Sequence, residues 1–210
     1  MEKLITIAVD AMGGDNAPHK VIDGIEFHHQ GSKNVFYKIF GDQNIIQNLI
    51  IKKRIDKNFF EIIHTDQNIK GEDTAFAAAK RGKNTSMWLA IESVKNKLSD
   101  IVISAGNTGA LLVLAKLNLK MIENIDKPAL SGLWPSKKGM SVVLDLGANI
   151  ECSDKNLIDF TIMGSSLFKS LFPDETSKVG LLNIGSEELK GNEIIKNTYQ
   201  KLNQIDNENF

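Results

Sequence analysis

Short runs rich in β-branched and aromatic residues alternate along this chain with longer segments of helical periodicity. The alternation is typical of an α/β fold, with a mainly parallel sheet and helices on both of its faces. It predicts one α/β domain over residues 1–210. The predicted strands are 4–9, 35–40, 59–63, 101–104, 129–133, 141–144 and 179–183. The predicted helices are 18–29, 44–54, 74–80, 86–97, 108–122, 154–171 and 190–202.

Charge and cysteine content exclude several classes of protein. The 25 basic and 26 acidic side chains give a net charge of −1, which provides no overall attraction to nucleic acid. Cys152 is the only cysteine, so neither a disulfide framework nor a cysteine zinc site can form. Apolar stretches such as 110–115 are much shorter than the roughly 20 residues of a membrane helix. We expect a cytoplasmic protein that binds neither nucleic acid nor a metal.

Four predicted strands end in glycine-bearing turns that open into helices. In a parallel sheet the carboxyl ends of the strands meet at one edge, where open α/β folds bind ligands. Glycine lets the backbone approach a ligand, and a helix N-terminus attracts an anion. The turns therefore predict a phosphate site, although the same residue types also cap helices in purely structural loops. The four turns are 10–18, 104–109, 145–149 and 183–191.

Other familiar signatures do not occur in the sequence. It has no G-x-G-x-x-G after the first strand, no P-loop, no H-E-x-x-H and no G-x-S-x-G. Dinucleotide, P-loop, zinc and serine-nucleophile chemistry are therefore disfavoured. The lysine clusters at 52–54, 80–83 and 137–138 are typical of solvated faces. Lys190 differs from them, because it lies beside Gly191 at the ligand edge of the predicted sheet.

The turns also carry a family resemblance. Residues 7–15 (IAVDAMGGD), 103–111 (ISAGNTGAL) and 144–149 (LDLGAN) closely resemble the bacterial phosphate acyltransferase family. The segments LLNIG at 181–185 and KGNE at 190–193 resemble it too. Further matching segments are KNTSM at 83–87 and KPAL at 127–130, and the resemblance runs from Ile5 to Phe210.

The resemblance implies an enzyme that moves a fatty acyl group from acyl carrier protein to inorganic phosphate, forming acyl phosphate for phospholipid synthesis. It implies no cofactor, a homodimer, and a fold similar to phosphotransacetylases and isocitrate or isopropylmalate dehydrogenases. It further implies a cytoplasmic enzyme that works at the inner membrane surface, functionally linked to a membrane acyl-phosphate:glycerol-3-phosphate acyltransferase.

The chain departs from the family pattern in three respects. Ala75 stands where the family usually has proline, and Thr85 where serine is usual. The family's chains are also considerably longer. We therefore expect this chain to be the N-terminal part of a longer fold, from a fragment, a split reading frame or a truncated gene, without a further strand and glycine-rich turn.

Residue chemistry and the resemblance together assign roles at the site. Attack of phosphate on a thioester carbonyl needs correct orientation more than it needs a strong general base. A hydrogen bond from a lysine to phosphate, or to the oxyanion that forms at the carbonyl, could contribute about 1.5 to 3 kcal/mol. We expect Lys190, Asn107 and Asp145 to act in catalysis. Carboxylates here would repel phosphate unless they orient other groups, so supporting roles are expected for Asp10, Asp15 and Asp145. The residues expected to bind phosphate or substrate are Asp10, Gly13, Gly14, Asp15, Ser104, Gly106, Thr108, Gly109, Gly147, Asn149, Asn183 and Gly185.

Acyl carrier protein is strongly acidic, so its docking surface should be basic. Lys80, Arg81 and Lys83 lie beside a matching motif and are the predicted docking residues. Two other hypotheses remain open at this point. One is a short-chain acyl-CoA phosphotransacylase, and the other is an inactive N-terminal fragment that serves only as an interaction module.

Overall fold

The computed structural model describes residues 4–137, 139–185 and 190–204. The chain divides into two compact units, Met1–Lys120 and Met121–Phe210, which are described separately below. The expectation of a single domain over the whole chain stays a prediction.

Unit 1 is built on a four-stranded parallel sheet with the order β3-β2-β1-β4. Its strands are β1 Ile5–Asp10, β2 Val35–Gly41, β3 Phe60–His64 and β4 Ile101–Ser104. Its helices are α1 His19–Gly31, α2 Gln43–Lys53, α3 Ala75–Arg81, α4 Ser86–Lys95 and α5 Thr108–Leu119, with a 3₁₀ turn at Lys57–Phe59. Each strand lies within one residue of its predicted bounds, and the predicted α/β fold is confirmed.

Alternation along β1 places helices on both faces of this sheet. Val9 belongs to a core cluster with Ile22 of α1 and Ile46 of α2. Ala8 points to the opposite face and packs in a cluster with Ala90 of α4. Because successive strand residues face opposite sides, a central strand between two helical layers is apolar at nearly every position.

Most helices of unit 1 begin at a side chain that accepts a backbone N–H. Thr85 accepts from Trp88 N at 3.3 Å at the start of α4, so threonine caps this helix where the family usually has serine. Thr74 accepts from Ala77 N at 3.1 Å, which makes Ala75 the first residue of α3. Proline is favoured at that position and alanine is a good helix former, so either residue suits it.

Two helices end earlier than their periodicity predicts. The helix predicted over 86–97 ends at Lys95, and the one predicted over 108–122 ends at Leu119. Lys97 and Lys120 have φ values of +59° and +66°. These values lie outside the right-handed helical region, so the backbone leaves the helix there.

In its described residues, unit 2 contains a two-stranded antiparallel hairpin and two helices. Its strands are β5 Gly132–Ser136 and β6 Gly139–Val143, and its helices are α6 Asp154–Leu171 and α7 Glu193–Asn203. Ser153 and Asn156 form a reciprocal capping box at the start of α6, which begins and ends where the sequence predicts.

The hairpin corrects the prediction that 129–133 and 141–144 are strands of a parallel sheet. Gly132 pairs with Val143 and Ser136 with Gly139, so the two strands run in opposite directions. A parallel pair needs a crossover of a dozen or more residues, and residues 134–140 are too few to form one. The spacing alone could have excluded the parallel arrangement.

The predicted strand at 179–183 is also wrong, because residues 178–183 carry no regular secondary structure. In the described part of the chain no strand pairs with this segment. Leu182 is 88% exposed, so the apolar run is not buried as a central strand would be. Strand formation depends on neighbours that satisfy the backbone, which a local apolar pattern does not supply.

None of the helices in the described ranges combines the length and the apolar character needed to cross a bilayer. Within the same ranges, no group of three or more His, Cys, Asp or Glu side chains is placed to hold a metal ion.

His29 provides a test of packing in unit 1. The residue is 8% exposed, its ring lies 4.4 Å from that of Phe59, and its Nδ1 has no partner among the described residues. Burial, with a smaller contribution from Lys33, lowers the pKa of His29 below 6.5. As the pH falls, His29 therefore binds a proton at higher pH in the unfolded chain than in the folded protein.

We expect the free energy of unfolding to decrease as the pH falls below about 6.5, until the folded protein also binds the proton. Denaturant titrations at several pH values measure this slope. The variant His29→Leu should flatten it, and an unchanged slope in that variant would contradict the assignment.

Candidate functional site

The first two glycine turns lie side by side because their strands are neighbours in the sheet. Asp10 ends β1 and pairs in register with Ser104, which ends β4. The Ser104 hydroxyl donates to the Asp10 carboxylate at 2.7 Å and accepts from Gly106 N at 3.1 Å. Met12 N also donates to Asp10, at 3.3 Å. Asp10 is only 1% exposed, so its carboxylate ties the two turns together instead of facing solvent.

Glycine is required where these turns approach each other. A Cβ on Gly13 would lie 2.5 Å from Asp10 Oδ2 and 3.0 Å from the α-carbon of Gly106. A Cβ on Gly14 would lie 2.5 Å from the carbonyl oxygen of Ala105. Gly14 also has φ +95°, a conformation that side chains disfavour. The predicted site glycines thus allow backbone contact between the turns.

Asn107 uses its whole side-chain amide to organise the second turn. Its Oδ1 accepts from Ala110 N at 3.0 Å and caps α5. Its Nδ2 donates to the carbonyl oxygens of Gly71 and Asp73 at 2.8 and 2.9 Å. Asn107 therefore holds the loop before α3 against the start of α5.

The start of α5 presents backbone donors at the surface. Thr108 and Gly109 are exposed, and neither amide has a hydrogen-bond acceptor within the described residues. Gly14 and Asp15 of the first turn are exposed as well. Free N–H groups at a helix N-terminus can bind an anion such as phosphate.

In unit 2, Asp145 organises the third turn. Its carboxylate accepts from Leu130 N at 2.7 Å, Ala148 N at 3.2 Å and Asn149 N at 2.8 Å. Asn149 Nδ2 donates to it at 3.0 Å and to the Pro128 carbonyl at 2.8 Å. Partial burial opposes ionisation, but these bonds outweigh it and lower the pKa of Asp145 below 3.8. The exposed Gly147 of the same turn has φ +91°.

The fourth turn is described only on both sides of residues 186–189. Asn183 Nδ2 donates to the Lys190 carbonyl at 3.3 Å, and Ile184 N donates to Asn183 Oδ1 at 2.8 Å. Gly191, at φ +89°, lies against the Asn183 amide. Lys190 is exposed and has no ion pair with any described residue. Gly185 is half-buried.

The premise that all four turns follow strands of one parallel sheet is wrong. The first two turns follow β1 and β4, the third follows a hairpin strand, and the fourth follows no strand. Unit 1 brings together Asp10, Gly13, Gly14, Ser104 and Gly106. A cleft shared by all four turns stays a prediction.

The three predicted docking residues lie at the end of α3 and just beyond it. Lys80, Arg81 and Lys83 are all exposed. Arg81 forms an ion pair with Asp73 at 3.0 Å, whereas no ion pair involves Lys80 or Lys83 within the described residues.

A comparison with known families identifies the chain. The family described as "Fatty acid synthesis protein" matches residues 5–210. The chain belongs to this family. It is 71% identical over all 210 residues to a phosphate acyltransferase of Pelagibacter ubique and covers 62% of that protein. It is 39% identical over 93% of its length to a phosphate acyltransferase of Paramagnetospirillum magneticum, of which it covers 56%.

These matches confirm the resemblance to phosphate acyltransferases. They also show that the chain spans 56–62% of the length of these two relatives. Among solved structures, a phosphotransacetylase from Streptococcus pyogenes matches 98% of the chain with a TM-score of 0.66 and 15% identity. The EutD phosphotransacetylase from Staphylococcus aureus matches 95% with a TM-score of 0.61 and 15% identity. The chain covers 67% and 65% of these two proteins, and the predicted likeness to the phosphotransacetylase fold is confirmed.

Sequence reasoning did not predict that Asn107 binds the loop at Gly71 and Asp73. Asp73 accepts from Lys70 N at 2.9 Å and pairs with Arg81 of α3, so its carboxylate fixes the loop from both sides. Thr74, which caps α3, gave a local signal for the end of this loop. The contact to Asn107 joins residues 34 and 36 positions apart, and no local pattern reports it.

The glycine contacts give a stability prediction. Gly14→Ala should lower the free energy of unfolding by about 1–3 kcal/mol, because alanine is strained at positive φ and its Cβ meets the Ala105 carbonyl. Gly24→Ala is the matched control. Gly24 lies within α1, where a Cβ would have no atom within 4 Å, so alanine should stabilise by roughly 0.5–1 kcal/mol. Chemical denaturation measures both, and a Gly14→Ala protein as stable as wild type would contradict this account.

The Asp145 loop gives a prediction with the same sign of pH dependence as that of His29, but at lower pH. Because the pKa of Asp145 is lowered on folding, its contribution is complete above about pH 3.8 and is lost as the pH falls through the folded pKa. Asp145→Asn should reduce stability at neutral pH and make acid unfolding less steep. Unfolding curves from pH 2 to 7, at about one-unit steps, test this. Identical acid profiles for variant and wild type would refute it.

Proposed function

We propose that the chain provides the phosphate-binding part of an enzyme that transfers a fatty acyl group from acyl carrier protein to inorganic phosphate. The products are acyl phosphate, for phospholipid synthesis, and the free carrier thiol. The observation that carries the proposal is the pair of turns after β1 and β4, joined through Asp10 and Ser104, beside the free amides of Thr108 and Gly109. Membership of the family and the names of its relatives support the same reaction.

Phosphate binding is assigned to the exposed backbone of these two turns. The free amides of Thr108 and Gly109, with the dipole of α5, favour a bound anion. Because Asp10 is buried and already accepts two hydrogen bonds, its charge is compensated before phosphate arrives. Binding of phosphate or of the acyl thioester is also assigned to four residues of unit 2, which are Gly147, Asn149, Asn183 and Gly185.

In the reaction, a phosphate oxygen attacks the thioester carbonyl, an oxyanion forms, and the carbon–sulfur bond breaks to release the thiolate. Phosphate is already anionic at neutral pH, so the main requirements are alignment and stabilisation of the oxyanion. Lys190 is assigned the oxyanion contact, because its ammonium is exposed beside the Gly191 turn without a carboxylate partner among the described residues.

Asn107 and Asp145 are assigned positioning roles in this reaction. The amide of Asn107 is occupied by α5 and by the loop at Gly71 and Asp73. The Asp145 carboxylate is occupied by Leu130 and the 148–149 segment. Each side chain therefore acts on substrate through the loop that it holds.

The family resemblance supports a proposal for the assembly and location of the protein. We propose a cytoplasmic homodimer that works at the inner membrane surface and supplies acyl phosphate to a membrane glycerol-3-phosphate acyltransferase. Carrier protein and phosphate are its two substrates, and the chemistry assigned above uses no cofactor.

The reaction is tested by following thiol release from acyl carrier protein with and without phosphate. The assay uses the chain alone, and the chain mixed with the part of the Pelagibacter ubique relative that it does not match. Release that requires phosphate in either form supports the proposal. Thiol release at the same rate with and without phosphate, or no thiol release from the chain alone and from the mixture, would overturn it. Faster thiol release from a short-chain acyl-CoA than from acyl carrier protein would instead indicate a phosphotransacylase.

The role of Lys190 gives a kinetic prediction for the active form. Lys190→Met should lower kcat by roughly 10²–10³-fold and change the KM for phosphate much less, because an oxyanion contact forms mainly in the transition state. Lys169→Met, at another exposed lysine of unit 2, is the matched control and should keep wild-type kinetics. Unchanged turnover in Lys190→Met would remove Lys190 from the mechanism.

A further inference from the structure

The short helix α3 exposes an aromatic side chain one turn before its basic residues. Phe76 is 78% exposed, although a phenylalanine on a helix packed against its own domain usually faces inward. Lys80 lies four residues later, so the two side chains share one face of the helix. We call Phe76, Lys80 and Lys83 the α3 patch.

The charges of the α3 patch are available to a partner. Arg81 is held by Asp73, but Lys80 and Lys83 are exposed and unpaired within the described ranges. The loop between β3 and α3 contains three acidic residues. Asp66 and Glu72 are exposed, and Asp73 is already bound to Lys70 N and Arg81. Within the patch itself, Lys80 and Lys83 provide two positive charges beside the exposed Phe76 ring.

A contrasting exposed aromatic lies on α1. Phe27 is 80% exposed, but it follows Glu26, and Lys53 binds both Glu26 and Asp23 on this surface. One ammonium faces two carboxylates, so these residues provide no excess of positive charge. An acidic partner would gain little there, whereas the α3 patch offers it free cations.

The α3 patch also lies close to the turn after β4, which is assigned to phosphate binding. Asn107 holds the loop immediately before α3 through Gly71 and Asp73. A Cβ placed on Gly109 would lie 4.0 Å from the Cβ of Ala75, the residue that precedes Phe76. A protein bound to α3 would therefore lie next to the free amides that begin α5.

We infer that the α3 patch is the docking surface for a small acidic protein that delivers the acyl thioester, with Phe76 as its apolar anchor. The inference rests on the proposed function and adds an anchor that the basic residues alone did not indicate. Aromatic residues dominate the energy of many interfaces, and complementary charge speeds encounter and fixes orientation. Such a partner presents carboxylates around an apolar residue, and its thioester arm then reaches the neighbouring turn.

The test measures binding of holo acyl carrier protein to the full chain by fluorescence anisotropy at low and high salt. Phe76→Ala, and separately the double variant Lys80→Glu with Lys83→Glu, should each weaken binding about tenfold or more at low salt. Phe27→Ala and Lys52→Glu are matched exposed controls and should stay within about twofold of wild type. Circular dichroism checks that each variant is folded, as expected for exposed positions.

Wild-type binding by both α3 variants, or no binding by the wild-type chain, would overturn the docking inference. A parallel assay with a small acyl-pantetheine thioester separates this from the proposed function. Phosphate-dependent thiol release from that thioester without carrier binding leaves the reaction standing and rejects the patch. Loss of carrier binding in the variants, with release from the small thioester unchanged, confirms the patch as a docking surface.

Discussion

The hydrogen bond between the Ser104 hydroxyl and the buried Asp10 carboxylate holds together the two strand ends on which the candidate site depends. A carboxylate that is 1% exposed is costly unless its oxygens are bonded, so the turns must stay close enough to supply donors. That closeness in turn excludes side chains at Gly13 and Gly14. The glycine-rich sequence of the first turn follows from the need to satisfy one buried charge.

A carboxylate also organises a turn in unit 2. Asp145 follows β6 and accepts four hydrogen bonds from its own turn and from Leu130. In both units a carboxylate near a strand end accepts hydrogen bonds from loop residues. Asp10 accepts from Met12 N and the Ser104 hydroxyl, and Asp145 accepts mainly from backbone amides. This explains how carboxylates can lie among turns that are assigned to phosphate, because their charge is compensated locally and fixes the shape of the loop.

Elements set by local chemistry could be predicted from the sequence, and those set by distant partners could not. The bounds of α6 match the prediction to the residue because its amphipathic period begins at a capping box. The four strands of unit 1 are predictable because each is a short apolar run between helical segments. The segment 179–183 shows the same local pattern but has no paired strand among the described residues, so the pattern misled. At the site, the glycines and Asp10 are visible as a motif, whereas the bonds from Asn107 to Gly71 and Asp73 depend on how α3 and α5 pack.

The central claim is that the joined turns of unit 1 form a phosphate cradle, and an NMR titration of the chain with inorganic phosphate tests it most directly. The account predicts saturable shifts of the amide signals of Gly14, Thr108 and Gly109, with chloride at matched ionic strength leaving them in place. It also predicts that Ser104→Ala, which removes the bond to Asp10, weakens the phosphate response. Shifts that are absent, that do not saturate, or that chloride reproduces would contradict the account.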